Sequence, residues 1–200
     1  MRTMLRLSRT LIQLNLATQE HHIAADAAWL ELLVPGVTRA RYVEHLIKVY
    51  GFEAPLEAAL RYTPGLSSVI DVRPRAGLIA QDLMRLGLSA GQIATLGQRF
   101  MTFSSTTEAL GWMYVAERAT LLHDAVRRYL TRRIPELHSA TSYLAAYGIA
   151  GGRWNDLRRA LETVADAAPA KEQLTRAANQ GFLALCEWFD GGTPLLLVGT

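Results

Sequence analysis

The sequence carries a single cysteine, Cys186, in 200 residues. No intramolecular disulfide can form, and a reducing, cytoplasmic setting is the natural expectation. No stretch of about 18 uninterrupted apolar residues occurs, so neither a membrane span nor a membrane partner is expected. The leading segment MRTMLRLSRTLIQLN mixes basic residues with leucines. It lacks the apolar run and the small-residue cleavage site of a secretory signal, and reads as the approach to a first helix. A concentrated basic face is missing too. The formal net charge is only +3. The densest basic clusters are Arg127, Arg128, Arg132 and Arg133, and Arg153, Arg158 and Arg159. They read as solvated helix faces or as groups for an acidic ligand, and no nucleic-acid partner is expected. The familiar catalytic signatures are also lacking: no GxxxxGKS/T, no HExxH, no nucleophile elbow and no CxxC pair. Di-iron bundles need repeated ExxH pairs, a spacing that Glu44-His45 and Glu20-His21-His22 do not have. There is no low-complexity tract, internal repeat or domain-scale linker. Half of the residues are hydrophobic, so residues 1–200 read as one domain around a packed core, with 193–200 a tail.

What is present is helical. Leu11, Leu14, Thr18, His22, Ala25, Trp29 and Leu32 recur at spacings of three and four, which puts them on one helix face. Pro35-Gly36 ends that helix. Thr38 caps a second one through Tyr42, Leu46 and Val49, which Gly51 and Pro55 are expected to bend or divide. Pro64-Gly65 closes this region, Pro74 opens a third helix that stops at Gly87, and Ser89 with Gln92 forms a capping box for a short fourth. A long helix is predicted from about Ser105 to Arg133, ended by Pro135. Others follow from about Ser139 to Gly148, Gly152 to Ala167 and Pro169 to Asp190, where Gly191-Gly192 stops the last. No strand is convincing by alternation. The expected architecture is an all-α bundle of roughly seven to nine helices.

Among residues able to do chemistry, His22 lies on the apolar stripe and His21 lies off it. A lone histidine on an apolar face is either a packed core residue or a metal ligand. Asp26, one turn later, is placed to accept the second imidazole N–H, directly or through water. His45 reads as structural or surface, His138 as surface, and Glu117 as a buried hydrogen-bonding anchor. Trp112, Trp154, Trp188 and Tyr114 read as core, and Cys186 as a small buried hydrophobe.

The run Leu16 to Asp26, LATQEHHIAAD, resembles the first-helix motif L-x-x-A-T-x-x-x-H-x-x-x-D/E of heme oxygenases, with Ala17, Thr18, His22 and Asp26 in register and the leading leucine displaced. Tyr50 to Glu57 is similar to the YGFxxPLE run of the bacterial, biliverdin-forming members. Gln81 to Gly87 resembles their DLxxLG segment and Ala109 to Glu117 their ALGxxYVxE helix. Tyr147-Gly148, then Gly152 and Trp154, resemble their late YGxxxGxxW region. Taken in order, these segments cover most of the chain. The resemblance implies a heme oxygenase-like bundle in which heme is both cofactor and substrate, with His22 the proximal ligand of its iron. It implies oxygen-dependent cleavage to biliverdin with release of iron and carbon monoxide. Electrons would come from a reductase or ferredoxin, since no flavin or nicotinamide fingerprint is present. Basic residues on the pocket rim would hold the heme propionates, and Arg153, Arg158 and Arg159 are candidates. No side chain is assigned a catalytic role.

One departure is informative. Where the family continues Gly-Ser-x-Leu-Gly-Gly, this chain has Arg118-Ala119-Thr120-Leu121-Leu122-His123. The family's glycines let the distal helix backbone lie against heme, an approach that only glycine permits. Arg118 and Leu122, four residues apart, share the face that the family keeps bare. Three outcomes follow: the helix stands further off, or the pocket is filled, or His123 reaches the iron from the distal side. With Thr18, His22 and Asp26, these three residues complete the candidate heme site. The alternative to a heme-degrading enzyme is a noncatalytic protein of the same fold that binds heme, another ligand or a protein partner. A third reading, a different enzyme on this scaffold as in thiaminase-II-like proteins, has no specific residue in its support.

Overall fold

A computed structural model describes residues 8–66, 74–146, 151–164 and 168–191. Tyr147 and Gly148 of the late motif, and the tail, lie outside them. The described residues form ten α-helices and no strand, an all-α multi-helix bundle. In chain order these are α1 (Arg9–Ala17), α2 (Gln19–Leu30), α3 (Arg39–Tyr62), α4 (Arg75–Arg85), α5 (Ala90–Ala94), α6 (Thr106–Ala119), α7 (His123–Arg133), α8 (Ser142–Ala146), α9 (Gly151–Val164) and α10 (Ala168–Asp190). Among the described residues no helix is long and apolar enough to cross a membrane.

Helix starts follow the sequence closely. The Thr38 hydroxyl accepts the Arg41 amide at 3.2 Å. Ser89 and Gln92 form the reciprocal capping box, and Ser105 accepts the Glu108 amide at 3.2 Å. Each satisfies an amide that the first helical turn leaves without an intrahelical partner.

The count exceeds the expected range because two expected helices are broken. The first divides at Thr18, whose backbone leaves helical geometry (φ −113°, ψ 2°). Its hydroxyl, fully buried, donates back to the Leu14 carbonyl at 2.9 Å. Hydroxyls that bond their own backbone compete with the helical ladder. The second divides at Thr120–Leu122, a single 3-10 turn between α6 and α7.

Conversely, α3 runs undivided through Pro55. A proline inside a helix orphans the carbonyl four residues earlier, here that of Gly51. The Arg99 amide takes up that carbonyl at 2.9 Å. Gly51 is also a point of close approach: a Cβ there would stand 2.5 Å from both the Gly97 carbonyl oxygen and the Trp188 ring.

The core has two clusters. Phe52, Leu56, Leu110, Met113, Tyr114, Leu157, Leu161, Leu174 and Phe182 belong to the first. The second gathers Trp29, Leu32, Tyr42, Leu46, Ile79, Leu83, Val126, Leu130 and Tyr143. Helix α3 gives one end to each, and Phe189 at the end of α10 packs against both. Helices α6 and α10 approach closely at Gly111, where a Cβ would come within 2.7 Å of the Ala177 Cβ and 2.8 Å of the Leu174 carbonyl oxygen.

Candidate functional site

The face predicted for Leu11 through Leu32 is real despite the break. Leu14, Thr18, Ala25, Trp29 and Leu32 are buried, and Leu11 and His22 partly so. His22 Nε2 lies 3.1 Å from the Thr18 hydroxyl oxygen. The Thr18 hydroxyl donates to the Leu14 carbonyl at 2.9 Å, and the direction of its contact with His22 follows the imidazole tautomer. The ring rests against Phe182 of α10, centroids 5.4 Å apart. His21, expected to point elsewhere, reaches the same phenyl ring at 6.0 Å. Burial, and then the Arg118 charge, lower the His22 pKa against the opposing pull of Asp26, so the imidazole is neutral near pH 7.

Asp26 does not serve His22. Both of its oxygens take the Arg118 guanidinium, at 2.5 and 2.9 Å. The pair is largely enclosed, with side-chain exposures of 12% and 20%. It ties the last turn of α6 to the middle of α2, the two helices between which the resemblance places heme. This bidentate geometry is the strong form of a guanidinium–carboxylate contact. The other two distal residues are drawn away by the break in the helix. Leu122 packs against the second core cluster. His123, expected to be partly exposed or to reach iron, is fully buried. Its ring lies 4.6 Å from Trp29 and 4.8 Å from Tyr143. Burial pushes its pKa well below the ordinary value, with the charges of Arg75 and Arg153 adding to the effect.

The His22–Thr18 contact and the Arg118–Asp26 bridge thus join four of the six candidate residues in pairs. Among the described residues no three His, Cys, Asp or Glu side chains are grouped to hold a metal ion.

Sequence reasoning missed a buried charge network behind the site. Arg75 on α4 donates to Glu53 at 3.1 Å and to Glu117 at 2.7 Å. Arg153 donates to the second Glu117 oxygen at 3.2 Å, to the Ala146 carbonyl and to the Thr120 hydroxyl. The Tyr143 hydroxyl donates to Glu53 at 3.3 Å. Burial raises the Glu53 pKa, with Arg75 opposing. Glu117 is the anchor its apolar surroundings suggested, and Arg153 is spent on it rather than facing a ligand. Arg158 and Arg159 pair along their own helix with Glu162 and Asp156. Asp82 was also missed. Fully buried in α4, it accepts the Ser142 and Tyr143 amides at 3.0 and 2.8 Å and so caps α8. The signal was there: an aspartate between Ile79 and Leu83 on an apolar face needs buried donors.

No protein-family model matches the chain, and none of the curated proteins is detectably similar to it.

Proposed function

We propose that this chain is a noncatalytic binding protein on a heme oxygenase-like scaffold, whose heme face is held shut. The observation that carries the reading is the bidentate Arg118–Asp26 bridge, which joins the proximal-type helix to the distal-type helix. Arginine stands where the resemblance calls for glycine, and its partner is the carboxylate that helical spacing places to orient His22. Overfilling a packed site costs about 1–3 kcal/mol. Here the intruding side chain has instead been given a charged partner, which makes the closed form a stable state. Heme cleavage to biliverdin, iron and carbon monoxide, with a reductase or ferredoxin as electron donor, requires Arg118 to leave Asp26 and His22 to release Thr18.

A hemin titration followed by visible absorption tests this. The wild-type chain is expected to give no saturable Soret band that depends on His22, and no biliverdin when reductant and air are added. Arg118→Gly is expected to bind hemin at least tenfold more tightly than wild type, with the gain lost in the Arg118→Gly, His22→Ala double variant. One-to-one binding by the wild type, followed by decay of the Soret band to a biliverdin spectrum, would overturn the proposal and restore the enzyme.

A further inference from the structure

On a different face of α2 lies a cavity of about 240 Å3. Its walls come from α2, the first half of α3 and the end of α10. Liquid water occupies about 30 Å3 per molecule, so the space suits roughly eight non-hydrogen atoms. The apolar side is built by Ala24, Ala27 and Ala28 of α2 with Leu185 and Phe189 of α10. Four alanines within five residues, Ala24, Ala25, Ala27 and Ala28, keep the helix thin where the cavity opens.

The polar side is unusual. His45 stands in the wall, 7% exposed, its ring held edge-on by Trp29 at 4.4 Å and flanked by Phe189 at 5.4 Å. Among the described residues its Nε2 meets no hydrogen-bond partner. A buried polar atom left in this way costs about 1–3 kcal/mol, a cost that a ligand group would remove. Lys48, one turn on, donates to the Phe189 carbonyl at 2.6 Å, and an ammonium has two further hydrogens to give. Glu31 and Glu44 at the rim are both engaged by Arg41. Asp190 lies at the exposed mouth, where water screens it. Burial and then the charges of Arg41 and Lys48 push the His45 pKa down to about 3, so the ring stays neutral and Lys48 is the cation left at the polar wall once Arg41 is paired with Glu31 and Glu44.

We infer that this cavity is a binding site for a small organic monocarboxylate, its apolar body on the alanine face and its carboxylate toward Lys48 and His45. The inference is independent of the heme oxygenase resemblance and of the Arg118–Asp26 bridge.

The test uses the full chain labelled with nitrogen-15, with butyrate and benzoate as probes and amide spectra as the readout. Saturable shifts are expected at Ala24–Ala28 and Leu185–Asp190, with butanamide and butylamine binding at least tenfold more weakly than butyrate. Lys48→Met should weaken butyrate at least tenfold. Lys48 also braces Phe189, so a second variant, Ala28→Leu, fills the cavity from the other side and should abolish the shifts while circular dichroism stays native. Shifts that never saturate, equal binding of acid and amide, or undiminished binding by a folded Ala28→Leu protein would each overturn the site.

Discussion

At the scale of single residues, what matters is which partner a charge is given. Glu117 is fully buried and holds Arg75 on one oxygen and Arg153 on the other. Glu117→Gln keeps the shape and removes the charge between two guanidinium groups. Breaking a buried pair from one side costs about 3–5 kcal/mol, and urea denaturation is expected to report a loss in that range. Asp26→Asn leaves Arg118 without its bidentate partner in a more exposed place, and the expected loss is about 1–3 kcal/mol. An Asp26→Leu, Arg118→Met double variant should recover most of it, because two apolar side chains of similar volume need no compensation. Sequence reading found Glu117 because a lone carboxylate in an apolar helix face demands partners. It did not find Glu53 and Arg75, which are 22 residues apart in the chain and meet only through the packing of α3 on α4. Nor did it foresee that Arg118 would take Asp26, since local spacing offered His22 as the nearer partner.

At the scale of helices, punctuation was legible where the signal was local. The caps at Thr38, Ser89 and Ser105 and the stop at Gly87 all depend on residues within four positions. The left-handed backbone of Gly87, with φ +104°, is one that other residues rarely adopt. Of the two outcomes expected at Gly51 and Pro55, a bend or a division, the division does not occur, because the amide that satisfies the freed carbonyl belongs to Arg99, far along the chain. Removing a proline from a helix interior ordinarily gains up to about 3 kcal/mol. Pro55→Ala is expected to gain less than about 1 kcal/mol in thermal unfolding, since its new amide competes with Arg99 for the Gly51 carbonyl. Gly111→Ala pushes against the α10 backbone, which cannot yield as a flexible side chain would. A loss of about 1–3 kcal/mol is expected, with the tryptophan emission shifted because Trp112 adjoins the site.

At the scale of the whole molecule, two buried histidines set the acid response. His45 and His123 are neutral in the fold, with pKa values pushed down by burial, to about 3 for His45. In the unfolded chain both titrate near 6.5. Below about pH 6.5 the unfolded state therefore binds more protons, and stability falls by up to about 1.4 kcal/mol per pH unit for each histidine. Their contribution is fully present above pH 6.5 and is lost toward acid. Glu53 works in the opposite sense as pH drops toward its ordinary value, because its folded pKa is raised. His45→Gln isolates one histidine, and the slope of stability against pH between 6.5 and 5 is expected to flatten by up to about 1.4 kcal/mol per unit.

The seam between α3 and α10 also has a meaning in time. The Lys48 carbonyl accepts the Trp188 indole N–H at 2.8 Å, and the Lys48 ammonium is bound to the Phe189 carbonyl. Gly111 and the first core cluster likewise wait for α10. On a ribosome, where chains emerge N-terminal end first, α3 is exposed long before the helix that completes it has been made. The first half of the interior stays open until the last described helix arrives, whereas the second takes only Phe189 from it. The first core cluster therefore closes late in synthesis, after the residues of the second have all been made apart from Phe189.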